Sequence, residues 1–99
     1  MSYLHWDFTL NSGDIVEVMS DTQANVLLLT DADYYSYQAG RGYQYYGRFF
    51  QYFPARIAAP HSGHWHVVLD LGGGSATVRH SLRVIPARGA FNIPAPASY

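Results

Sequence analysis

The sequence predicts an all-β domain: a compact antiparallel β-sandwich, jelly-roll-like, with at most one short helix. Three observations carry this. Short apolar segments recur at even spacing, separated by turns rich in Gly, Asn, Asp, Ser and Pro. Two of them, Tyr3 to Leu10 and His64 to Leu71, alternate between apolar and polar residues with the period of a half-buried strand. No long segment carries a helical period.

The first strand is read from Tyr3 to Leu10. Leu4, Trp6, Phe8 and Leu10 share one face, and Tyr3, His5, Asp7 and Thr9 share the other. Asn11-Ser12-Gly13-Asp14 is a turn. Ile15 to Met19 is a second strand with Glu17 as its single charge, and Ser20-Asp21-Thr22 turns again. Ala24 to Leu29 is apolar without alternation, which fits a central strand covered on both sides. Asp31-Ala32-Asp33 offers a helix N-cap, and Gly40 closes a short helix that includes Tyr34 to Gln38.

Tyr43 to Tyr46 reads as a short strand ended by Gly47. The Phe49 to Phe53 run is stopped by Pro54, which belongs at an edge or at a strand start. Arg56 to Ala59 is a strand ended by Pro60. The His64–Leu71 strand follows, with Trp65, Val67, Leu69 and Leu71 on one face and His64, His66, Val68 and Asp70 on the other. Trp65 is expected in the core, facing Trp6 or Phe8. Gly72-Gly73-Gly74 then reads as a hairpin connection to a last strand, in which Ala76, Val78, His80, Leu82 and Val84 are in phase. That phase makes His80 a core or rim histidine. Residues 1–85 form the domain, and residues 86–99 form an extended Pro/Ala-rich tail.

Composition limits the function. A 99-residue chain that is 48% hydrophobic makes one folded domain. The six basic residues, all Arg, and seven acidic ones leave a net charge of −1. No basic face for nucleic acid is expected, and no attraction to an anionic membrane. Cysteine is absent, which excludes disulfides, thiol catalysis and thiolate zinc sites. The start lacks the basic region and apolar run of a signal peptide, so the expected location is cytoplasmic.

Two constellations bear on chemistry. Imidazoles two apart on a strand point the same way, so His64 and His66 can act as a pair, with Asp70 on the same face. If the first strand lies in the same sheet, His5 and Asp7 join them. A site there would use His5, Asp7, His64, His66 and Asp70 for a ligand. A metal on His64 and His66 would need a third ligand, for which His5, Asp7 and His61 are the candidates. The simpler reading is hydrogen-bonded surface histidines with a ligand role and no metal or other cofactor.

The second constellation is aromatic: ten Tyr and Phe residues lie between residues 34 and 53. That exceeds what one small core buries. Tyr45 and Tyr46, with Arg41 beside them, suit a binding platform for a protein or a sugar. Phe49, Phe50, Tyr52 and Phe53 suit self-association, unless Phe91 and Ile93 of the tail cover them. Gly72-Gly73-Gly74 has no Lys-Ser/Thr after it and is a poor phosphate loop, and no Gly-x-Ser-x-Gly elbow is present.

Several segments together resemble a small bacterial family, the domain of unknown function DUF1883. They are Tyr3-Leu4-His5-Trp6-Asp7, Gln23-Ala24-Asn25-Val26, Tyr45-Tyr46-Gly47 and, most specifically, Gly63-His64-Trp65-His66-Val67-Val68-Leu69-Asp70-Leu71-Gly72-Gly73. The resemblance covers about residues 1–85. It implies a β-sandwich of bacterial origin, in relatives sometimes joined to TIR-type domains, and so a sensing or adaptor module with no established catalytic residues. The Phe49–Phe53 run is more apolar than in relatives, which marks it for self-association. The leading functional expectation is a non-catalytic binding module with an unidentified small ligand or protein partner. A metal-binding protein or metal-dependent enzyme built on the histidine face is the alternative, and a carbohydrate-binding module is a third.

Overall fold

The computed structural model describes residues 3–71 and 79–87. Among these residues, seven strands and one helix follow in the order β1 (Tyr3–Leu10), β2 (Ile15–Ser20), β3 (Ala24–Thr30), α1 (Asp31–Gln38), β4 (Tyr46–Phe50), β5 (Ala55–Ala58), β6 (Gly63–Asp70) and β7 (His80–Ile85). They form two antiparallel sheets, β1-β6-β3-β4 and β5-β2-β7. The expected all-β sandwich with one short helix is the fold.

The core between the sheets is built by strand alternation. Leu4, Trp6, Phe8 and Leu10 from β1 meet Trp65, Val67 and Leu69 from β6, with Val16 and Val18 of β2 opposite. Trp65 is fully buried, its register partner is Phe8, and its indole N–H donates to the His61 carbonyl at 3.0 Å. The buried indole donor is thereby satisfied. β3 is covered on both sides: Val26 and Leu28 enter the inter-sheet core, while Leu27 and Leu29 pack under α1 with Tyr34, Tyr37 and Val68. An apolar run without alternation is what such a strand requires.

On the outer face of the smaller sheet, Glu17 lies in register with Arg56 and Arg83. It accepts from their Nε atoms at 2.8 and 2.6 Å, so the single charge of β2 is clamped from both sides.

Three local expectations are corrected. The helix cap is Thr30, not a residue of Asp31–Asp33: its extended backbone still belongs to β3, and its hydroxyl accepts from the Asp33 N–H. That leaves Asp31 as the first helical residue with its carboxylate free to turn toward the sheet. Gly40 does close the helix after the Ala39 C-cap: its N–H donates to the Tyr37 carbonyl while that of Arg41 donates to Ser36, a Schellman closure.

The second correction concerns β4, which begins at Tyr46 instead of ending at Gly47. Gly47 sits inside the ladder opposite Leu27 with φ of 119°, and a Cβ there would lie 2.0 Å from the Val26 carbonyl oxygen. The glycine permits close approach of two strands and does not stop one. Third, β6 and β7 lie in different sheets, so the two strands do not pair as a hairpin. Gly72 to Val78 and the tail beyond residue 87 lie outside the described residues.

Among the described residues, no helix is long and apolar enough to cross a membrane.

Candidate functional site

The site grows from one register. β1 and β6 pair antiparallel with Asp7 opposite His66 and Thr9 opposite His64. Both strands turn their Trp residues inward, so His5, Asp7, His64 and His66 share the outer face. β3 pairs with the other side of β6, with Leu29 opposite His66, and the chain then enters α1. The helix folds over this outer face and brings Asp31 onto the histidines.

Asp31 Oδ1 is the hub. It accepts from His66 Nε2 at 2.6 Å and from His64 Nδ1 at 2.7 Å. His66 Nδ1 lies 2.8 Å from His5 Nε2, and His64 Nε2 lies 3.2 Å from Asp7 Oδ1. Hydrogen-bond chemistry assigns the protons. A carboxylate at Nε2 requires the proton there, so neutral His66 presents an Nδ1 lone pair and His5 donates its Nε2–H to it. His64 meets a carboxylate oxygen at each nitrogen, which suits the doubly protonated imidazolium.

The electrostatics follow the same pattern. Hydrogen bonds to Asp7 and then Asp31 raise the His64 pKa. Burial, followed by the neighbouring His66, lowers that of His5. The His66 hydrogen bond is the largest cause holding the Asp31 carboxyl below its ordinary range, and the first turn of a helix favours the carboxylate as well.

Tyr34 seals the floor. Its ring stacks on His5 at 4.2 Å and on His66 at 4.4 Å between centroids. Burial, and then the Tyr3 hydroxyl, push its own pKa up to about 12, so the phenol stays neutral. His66 is only 6% exposed, His5 is half-buried, and His64, Asp7 and Asp31 open to solvent. The cluster is thus buried at one end and accessible at the other.

Five of the expected site residues are found on this sheet face, and four converge: His5, Asp7, His64 and His66. Asp70 lies on the same face but opposite Tyr3, and it accepts from the Tyr37 hydroxyl at 2.6 Å. Arg41 follows the far end of α1, a helix about 12 Å long that begins at Asp31. Tyr45 and Tyr46 line a separate groove with Thr30, Asp33, Tyr43 and Gln44. His80 is exposed at the rim with its ring against Trp6, on the core side of the sandwich.

Asp31 and Tyr34 are the site residues missed by sequence reasoning. The acidic pair before an apolar-aromatic turn marks a helix start, but local sequence does not say which sheet face that helix covers.

Residues 1–88 match the model of a family described as a domain of unknown function, DUF1883. The chain belongs to the DUF1883 family. The match spans every described element, including all members of the cluster. No curated protein and no solved structure matches this DUF1883 domain.

Proposed function

We propose that this DUF1883 domain is a non-catalytic binding or sensing module whose binding centre is the histidine–carboxylate cluster at the start of α1. The observation that carries the reading is His66, a nearly buried imidazole held between Asp31 and His5. A sheet face covered by a helix needs only apolar residues for stability, as Leu27, Leu29 and Val68 supply beside it. Replacing a buried polar network by apolar groups of similar shape is often neutral or stabilising. A polar network in that position points to use, because sequences depart from the packing rule mainly at functional sites.

The chemistry favours binding over turnover. Imidazoles and carboxylates make up the cluster, and its most accessible imidazole has both nitrogens engaged by Asp7 and Asp31. Ser62 is held at another point of the surface, where its hydroxyl accepts from the Ser12 N–H. The association with TIR-type domains that the resemblance implies fits a module that reports occupancy to another domain.

A second reading is favoured by one observation. Tyr43, Tyr45 and Tyr46 are exposed around the polar groups of Asp33 and Gln44, an arrangement on which a sugar ring can stack. On β4, an edge strand, the exposed Phe49 and the neighbouring Tyr52 are assigned to contact between copies.

A thermal-shift panel separates these readings. The full chain is melted with divalent metal salts, neutral oligosaccharides and nucleotides, alongside His66→Gln and Tyr45→Ala variants. The cluster reading expects one class to stabilise the wild type and the Tyr45→Ala variant but not His66→Gln. Stabilisation lost only with Tyr45→Ala contradicts it and supports the groove.

A further inference from the structure

We propose that the cluster binds one divalent first-row transition ion, of which zinc is the type, through His5 Nε2, His66 Nδ1 and the Asp7 carboxylate. This rests on the binding-module reading and names its ligand.

The donor geometry is the first argument. One ligand atom from each of His5, Asp7 and His66 lies within 4.8 Å of the others. The two imidazole nitrogens face each other at 2.8 Å. In a tetrahedral site with metal–nitrogen bonds of about 2.0–2.1 Å, two ligating nitrogens stand about 3.4 Å apart. The rings therefore need to part by about half an ångström to admit the ion. His5 can move that far because β1 is a sheet edge, while His66 lies on β6 between two strands. On binding, the His5 proton passes from Nε2 to Nδ1 through solvent, and both facing lone pairs then point at the ion.

The outer partners are already in place. A metal-ligating imidazole commonly donates its other N–H to a carboxylate, which fixes the tautomer and strengthens the ligand. His66 donates Nε2–H to Asp31 at 2.6 Å, and Tyr34 stacks on both candidate rings, holding them nearly coplanar. These supports come from α1 and are invisible in the local sequence around either histidine.

A second group, Asp31, His64 and His66, also lies within reach of one ion. Its atoms are less suited to coordination. Asp31 Oδ1 already accepts from both rings at 2.6 and 2.7 Å, so an ion between them would break two hydrogen bonds, and the other nitrogen of His64 is engaged by Asp7. In the first group, by contrast, His5 Nε2 and His66 Nδ1 face each other with a single proton between them, and a carboxylate oxygen of Asp7 lies within reach of both. Imidazole nitrogen with one carboxylate selects zinc, cobalt, nickel or ferrous iron over magnesium and calcium, which want oxygen. Three protein ligands leave a coordination position toward the exposed side for water or a ligand group.

The test uses the full chain in chelator-free buffer. Calorimetric titration with zinc chloride is expected to give one ion per chain, and cobalt(II) to give the visible absorption of a four-coordinate ion. His5→Gln, on the edge strand, is expected to weaken zinc at least 100-fold with an unchanged circular dichroism spectrum. Asp31→Asn should weaken it about 10–100-fold, and His64→Gln only a few-fold. No zinc binding by the wild type overturns the proposal, as does binding that survives His5→Gln but is lost in His64→Gln. If zinc fails while another class in the thermal panel acts through His66, the metal proposal falls and the binding-module reading stands.

Discussion

At the scale of single residues, two buried side chains carry opposite kinds of work. Trp65 is fully buried between the sheets with its one donor satisfied. Trp65→Ala is expected to destabilise the domain by about 3–5 kcal/mol, much of a typical margin of about 5–15 kcal/mol. Urea denaturation checks this, and an unchanged midpoint would contradict the packing. Glu17 makes a pH-dependent contribution. Hydrogen bonds from Arg83 and then Arg56 hold its carboxyl below the ordinary value of 4.5. A carboxyl with a depressed folded pKa stabilises above its unfolded value, and that contribution disappears as pH falls through the folded one. Glu17→Gln should therefore lose most stability near neutral pH, and the gap to wild type should close below about pH 4.5. Parallel urea midpoints from pH 7 to pH 3 test the sign; a gap that widens on acidification contradicts the clamp.

At the scale of elements, a strand and a helix each depend on one backbone feature. Gly47 lets β4 approach β3 where any side chain would strike the Val26 carbonyl, and its positive φ adds strain for other residues. Gly47→Ala should cost about 3 kcal/mol or more, read as a fall in melting temperature. Thr30 caps α1, and Thr30→Ala should cost about 1 kcal/mol. Because the cap also sets Asp31, that variant is expected to loosen the histidine network, with the His64 pKa falling toward its ordinary 6.5 by NMR titration. The strands were largely readable. Period-two alternation in β1 and β6 revealed both faces, and the apolar run of β3 revealed a strand covered twice. Less readable were features set by distant chain. Gly47 looks like a strand end in sequence because its close neighbour, Val26, is 21 residues away. Gly72-Gly73-Gly74 looks like a hairpin because nothing local records that β7 pairs with β2.

At the scale of the molecule, β4 is an edge strand among the described residues, with Phe49 46% and Tyr52 84% exposed, while Phe50 turns into the core. The expected aromatic run thus splits into two faces. Contact between copies through the outer one predicts a concentration-dependent dimer in sedimentation, abolished by Phe49→Ser with Tyr52→Ser; a wild type monomeric at every concentration contradicts it.

The candidate site is likewise a product of the whole chain. Phase in β1 and β6 was enough to gather His5, Asp7, His64 and His66, since two strands that both bury Trp must present histidine on the other side. Asp31 and Tyr34 could not be added without knowing that α1 returns over that face. The central claim is that His5 and His66 act as one unit inside this cluster. Ring-nitrogen NMR of all five histidines, with zinc chloride added to the full chain, tests it most directly. The account predicts that His5 Nε2 and His66 Nδ1 shift together and saturate at one equivalent, while His61 and His80 stay still. Shifts confined to His61 or His80, or His5 and His66 responding independently, would contradict it.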